Sequence, residues 1–136
     1  MIQTTYILRD VQPNAHDFRT TFEWANDSEV IRWSPSRTGP LSLQEHGRWF
    51  RKRVTQGRWW ILEAKGSATE QLNPVGQIRF DLKVLPGLVL WPRDLRKRQP
   101  LAEILEVGVT IGAAWRRHGF GRSLIVLGTN RILCGD

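Results

Sequence analysis

The chain is short of cysteine, tyrosine and long apolar runs, and these shortages narrow what it can be. Among its 136 residues the only cysteine is Cys134. That excludes an intramolecular disulfide and a multi-cysteine metal site. The three histidines, His16, His46 and His118, have no ligand spacing, so no metal is expected. No segment reaches the roughly 20 apolar residues that cross a bilayer. The N-terminus, Met1 to Asp10, has no basic segment followed by an apolar one and does not read as a signal peptide. Repeats and low-complexity tracts are missing too. These shortages point to a cytoplasmic chain that engages no membrane.

What remains is an ordinary globular composition, 40% hydrophobic and 24% charged. The length suits one domain, residues 1–136, with a real core. The net charge of +7 admits nucleic acid, an acidic membrane or an anionic small molecule as partner. The cations are spread along the chain. Their densest group, Arg93-Asp-Leu-Arg-Lys-Arg98, sits between prolines and reads as a solvated loop. A polyanionic small molecule therefore suits the charge without nucleic acid, whose binding would fall steeply with salt.

Tyr6 to Val11 reads as a first strand. A helix opens at Pro13-Asn14 and runs to about Asn26, with Ala15, Phe18, Phe22 and Ala25 on one face. A short helical piece, Glu29 to Trp33, follows, and 34–40 is loop by composition. Ser42-Leu-Gln-Glu45 is a capping box starting a helix to about Thr55, with Leu43, Gly47, Phe50 and Val54 as its buried stripe. Arg58 to Ala64 is apolar on both faces and reads as a central strand. Lys65 to Asn73 is a polar connection. Pro74 to Leu82 alternates, with Ile78, Phe80 and Leu82 on one side and Gln77, Arg79 and Asp81 on the other. Val84 to Pro100 reads as a loop, Ala102 to Ile111 as a strand, and Gly119 to about Leu133 as a helix. The order predicts an α+β fold: a mostly antiparallel sheet flanked by helices.

The chemistry concentrates in Arg116-Arg117-His118-Gly119-Phe120-Gly121, between the last strand and the last helix. A glycine turn at a helix start leaves backbone N–H groups unpaired at the positive end of the helix dipole, where phosphate oxygens bind. The alternative is an ordinary strand–turn–helix connection. Strand carboxylates Glu106 and Glu103 precede the loop. Either could take a proton from a reacting amine, given burial enough to raise its pKa. Either could equally be a surface residue or an arginine partner.

Arg116-x-x-Gly119-x-Gly121, with the strand Glu106 to Ile111 before it, resembles the pyrophosphate loop of the GNAT acyl-CoA N-acetyltransferases. Glu23-Trp-Ala-Asn-Asp-Ser-Glu-Val-Ile-Arg-Trp-Ser34, Leu43-Gln-Glu-His-Gly-Arg-Trp-Phe50 and Val75-Gly-Gln-Ile-Arg-Phe-Asp81 are similar to segments of the amino-sugar N-acetyltransferases of the pseudaminic-acid pathway. The resemblance spans roughly residues 5 to 127. It implies a GNAT fold with acetyl-CoA as donor and an amino group on a nucleotide-linked amino-deoxy sugar as acceptor. A protein N-terminal amine is the rival acceptor, as in the ribosomal-protein acetyltransferases of this outline.

Residue by residue, the resemblance implies that backbone groups at Val109 and Ile111 pair with pantetheine. N–H groups from Arg117, His118, Gly119, Phe120, Gly121 and Arg122, beside Arg116, would hold pyrophosphate. Glu106 falls at the base position. Asn26, Asp27, Trp33, Trp49 and Arg79 fall on the acceptor side. Bland alternatives stay open: Asn26-Asp27 as a helix stop and cap, His46 as a helix-surface residue, the tryptophans as core. The family continues past its glycine-loop helix, through a strand, a last helix and often a general-acid tyrosine. Here the loop lies close to residue 136, and the only tyrosine, Tyr6, is in the first strand. The expectation is a fold truncated after that helix, a non-catalytic remnant as one outcome, and an open sheet edge favouring a homodimer.

Overall fold

The computed structural model describes residues 5–34, 37–65, 71–85 and 102–135, with backbone alone for 84–85 and 102–104. The elements are β1 (Tyr6–Asp10), α1 (Ala15–Ala25), α2 (Ser28–Arg32), α3 (Leu43–Gln56), β2 (Trp59–Lys65), β3 (Leu72–Leu85), β4 (Ala102–Ile111) and α4 (Phe120–Cys134). Each early helix has its cap. Asn14 accepts from the Asp17 N–H, and Asp27 accepts from Glu29. Ser42 and Glu45 form the reciprocal capping box. The four strands pair antiparallel in the order β1-β2-β3-β4. The predicted loop after Val84 falls mostly outside the described residues, and β3 continues to Leu85.

The sheet is a layer between helices. Trp60, Leu62 and Ala64 of β2 pack with Leu8, Val75, Ile78, Phe80 and the α4 residues Phe120 and Leu124. Trp59 and Ile61 point oppositely and pack with Val11, Phe50, Phe18, Trp49 and Val54 beneath α1 and α3. The double-sided apolar run of β2 is thus central, as its pattern predicts. The approach of α4 depends on two glycines. A Cβ on Gly76 would stand 2.7 Å from Thr110 O and 2.9 Å from Leu124 Cδ1; one on Gly128 would stand 2.8 Å from Ile78 Cδ1.

Four expectations need correction. Leu43 is 62% exposed; the buried side of α3 begins one turn later, at His46, Gly47, Phe50 and Arg53. The fully buried residues of α1 are polar, Asp17 and Thr21. His46 is not a surface residue: it is fully buried, its Nε2 lies 3.1 Å from Thr21 Oγ1, and burial lowers its pKa. Leu82 lies beyond the α4 contact and is exposed, unlike Ile78 and Phe80.

Asp17 is buried because Arg9 of β1 requires it. The guanidinium grips the carboxylate through bonds of 2.7 and 2.8 Å, and its Nε reaches Glu63 of β2 at 2.8 Å. The Gln12 N–H adds a third bond to Asp17. Burial alone would raise this carboxyl, but Arg9 and Gln12 outweigh it and hold the pKa below its ordinary value. A depressed folded-state pKa contributes stability above the unfolded value near ~3.9, lost as pH falls through the folded value. Asp17→Asn should cost about 3 kcal/mol at pH 7 by denaturant unfolding. The gap from wild type should narrow as pH falls below about 4, the ordinary carboxylate value.

Candidate functional site

The N-terminus of α4 is built to leave donors free. Arg117 and Gly119 both take positive φ, 65° and 81°, which turns the chain sharply into the helix. Gly119 is the N-cap and has no side chain to cap with. The first helical bond is Ser123 N–H to Gly119 O, so the N–H groups of Phe120, Gly121 and Arg122 precede any intrahelical partner. The first turn holds no acidic residue. A Cβ on Gly121 would meet only Ile111 Cγ1, at 3.9 Å. Arg117, His118 and Arg122 are exposed around this turn. The Phe120 ring is core, edge-on to Tyr6 at 5.8 Å between centroids.

β4 ends the sheet among the described residues. Gly112 N–H donates to Val75 O at 2.9 Å. The two-residue period of an antiparallel ladder then turns the backbone groups of Val109 and Ile111 away from β3, toward the uncovered edge. A cavity of about 790 Å³ opens there, lined by Val109, Thr110, Ile111, Arg116, Arg117, Trp33 and Arg79 among others. Its two walls are tied together. Arg116 donates to Ile111 O at 3.1 Å and pairs with Asp27 at 3.3 Å. Asp27 is at once the cap of α2 and the partner of the loop arginine. Burial opposes its ionisation, but the Glu29 N–H and Arg116 prevail and lower its pKa. Trp33, 73% exposed, is not core.

A second cavity of about 590 Å³ adjoins the first and shares Val30, Ser34, Arg79 and Thr110 with it. Trp49, Glu45, Lys83 and Glu106 line it as well. Trp49 is half-buried and meets Trp59 edge-on at 5.1 Å. The Arg79 guanidinium lies over its ring, 5.7 Å from the centroid. Glu106 departs from the expected environment. It is exposed and paired with Lys83 at 2.7 Å, and that hydrogen bond lowers its pKa instead of burial raising it. The side chain of Glu103 lies outside the described residues.

Asn26 does not reach either cavity as a lining residue. Its side chain clamps the 37–41 turn, donating to Leu41 O at 2.9 Å and accepting from Leu41 N–H at 2.7 Å. Arg37 completes that clamp through Ala25 O, Asn26 and Gly39 O. Sequence reading missed Arg37, Lys83 and Gly108. Only Gly108 carried a signal, since a glycine inside a strand marks a close approach. A Cβ there would stand 2.7 Å from Arg79 Cζ. Asp27→Ala should cost about 1 kcal/mol as a lost cap, read by denaturant unfolding.

Two solved structures share the fold. A domain from Methanocaldococcus jannaschii DSM 2661 superposes with a TM-score of 0.63 at 16% identity, over 96% of this chain and 73% of that one. The ribosomal-protein-alanine N-acetyltransferase from Brucella melitensis gives 0.55 at 15% identity, over 92% of this chain and 65% of that one. No curated protein matches in sequence. Among the described residues, no helix is long and apolar enough to cross a membrane, and no His/Cys/Asp/Glu group could hold a metal. The acetyltransferase (GNAT) domain model matches residues 6–127, which span both cavities and the glycine turn, and the chain belongs to that acetyl-CoA-using family.

Proposed function

We propose that residues 1–136 act as one acetyl-CoA-dependent N-acetyltransferase domain, with an amine on a nucleotide-linked amino-deoxy sugar as acceptor. One observation carries the reading: the outward edge of β4 and the Arg116–Arg117 turn, which leads into the uncapped start of α4, line one cavity that adjoins a second. The donor set suits coenzyme A. Free N–H groups at Phe120, Gly121 and Arg122, with the Arg117 and His118 turn, suit a pyrophosphate. The backbone of Val109 and Ile111 suits the amides of a pantetheine arm.

The bound thioester supplies an activated acetyl group. The protein's part is to orient it and to accept the amine's proton. Glu106 is ionised at neutral pH and takes that proton through water. Cys134, exposed at the far end of α4, stands away from the loop, so transfer is direct from thioester to amine. On the acceptor side, Trp33 and Trp49 offer flat faces to a base or sugar. Arg79 offers its fork to a phosphate, and Asp27 holds the wall between the two sides. The name of the Brucella neighbour favours a protein N-terminal amine as the second acceptor reading.

Calorimetric titration with acetyl-CoA tests the donor side, and absence of binding at millimolar ligand overturns it. Binding without turnover on any amine favours the non-catalytic remnant, and acceptor profiling separates sugar from peptide amines. Gly121→Glu should abolish acetyl-CoA binding while leaving the melting temperature near wild type, because its Cβ would meet only Ile111 Cγ1, at ordinary contact distance. Glu106→Gln should lower turnover and leave acetyl-CoA affinity nearly unchanged. Because Lys83 holds the Glu106 pKa down, wild-type turnover should show no Glu106 limb above about pH 5.

A further inference from the structure

The junction of the two cavities holds a cation that the fold neutralises only in part. Arg79 lines both cavities and sits on the β3 position directly opposite Gly108. The absence of a Cβ on Gly108 is what admits the guanidinium there. Among the described residues its nearest carboxylate is Asp81, whose Oδ2 lies 3.6 Å from Arg79 Nε, too far for a hydrogen bond. Asp81 is already held through Oδ1 by the buried Arg53. Two guanidiniums therefore share one carboxylate.

Of the other charges lining the cavities, Lys83 pairs with Glu106, Arg116 with Asp27 and Glu29 with Arg32, Glu45 accepts from the Ser42 N–H, and Arg37 is bound to the α1 end. Glu106 also attracts Arg79, without a hydrogen bond to it among the described residues. Arg53 is buried and has two further nitrogens, Nε and Nη2, without partners. No hydrogen bond from the Nη atoms of Arg79 to any described residue exists. A half-buried cation without a full counterion is costly, and burial accordingly lowers the Arg79 pKa.

We infer that this junction is an oxyanion site, in which the Arg79 fork binds a phosphate group of the acceptor against the Trp49 ring. The assignment to the acceptor rests on the acetyltransferase reading above; the anion site itself does not. It is a separate site from the α4 turn, whose donors are backbone N–H groups. Gly108 makes room for Arg79, and Arg53 keeps Asp81 from satisfying it. The acceptor is thereby selected for a negative charge near its amine.

Calorimetric titration with inorganic pyrophosphate is the test. Wild type should show two sites. Gly121→Glu should lose the site at α4 and keep the other. Arg79→Gln should lose the other, weakening it about ten- to a hundred-fold, and keep the site at α4. Arg79→Lys, which keeps the charge and loses the fork, should fall between. Gly108→Ala should weaken the junction site by displacing the guanidinium. A single wild-type site removed by Gly121→Glu and untouched by Arg79→Gln would overturn the proposal and leave the donor reading standing. A single site removed only by Arg79→Gln would support it and sink the donor reading. In the Gly121→Glu background, uridine diphosphate should bind more tightly than pyrophosphate; weaker binding would overturn the assignment to an acceptor phosphate.

Discussion

The close seating of α4 on the sheet is the contact on which the candidate site depends. Gly76 and Gly128 remove the side chains that would hold helix and strands apart, and Leu124, Ile78 and Phe80 fill the resulting contact. Dense packing of this kind resists adjustment, so the start of α4 has one position relative to the end of β4. That position puts Gly121 beside Ile111. The turn from Gly112 to Gly119 connects two points already set by the core, and Arg116 stiffens it from inside through Ile111 O.

The opposite face is organised by polar contacts. Arg9 and Asp17 join β1 to α1, and Glu63 extends the link to β2. His46 and Thr21 join α3 to α1 within a shell formed by Phe18, Phe22, Trp49 and Phe50. Asn26 and Arg37 close the turn leading into α3. These contacts hold α2 and Trp49 against the cavity wall, so the second cavity has a framework distinct from that of the α4 turn. Asp27–Arg116 is the ion pair that couples the two.

The elements were legible because their signals are local. Asn14, Asp27 and the Ser42–Glu45 box satisfy helix N–H groups from within a few residues, and the period of Pro74 to Leu82 shows which side chains share a face. The glycine turn was legible for the same reason, since its free donors arise from the backbone of one short segment. The buried polar residues were not. Asp17, Thr21 and His46 look like surface positions until partners distant in the chain are brought against them. Leu43 shows the same limit in reverse: helical period places it on the apolar stripe, but α1 reaches only as far as His46. Glu106 was correctly marked as a strand carboxylate near the loop, while its environment depended on Lys83 across the ladder.

The sequence by itself determined the α+β class, the mostly antiparallel sheet, the capped helices and the glycine turn before the last helix. Those properties follow from hydrogen-bond satisfaction and side-chain period over neighbouring residues. Only the tertiary structure decided which charges neutralise one another, because ion pairing depends on distances between strands and helices. It paired Glu106 with Lys83 and Asp27 with Arg116, gave Asp81 to Arg53, and left Arg79 over Gly108 with its fork open to both cavities.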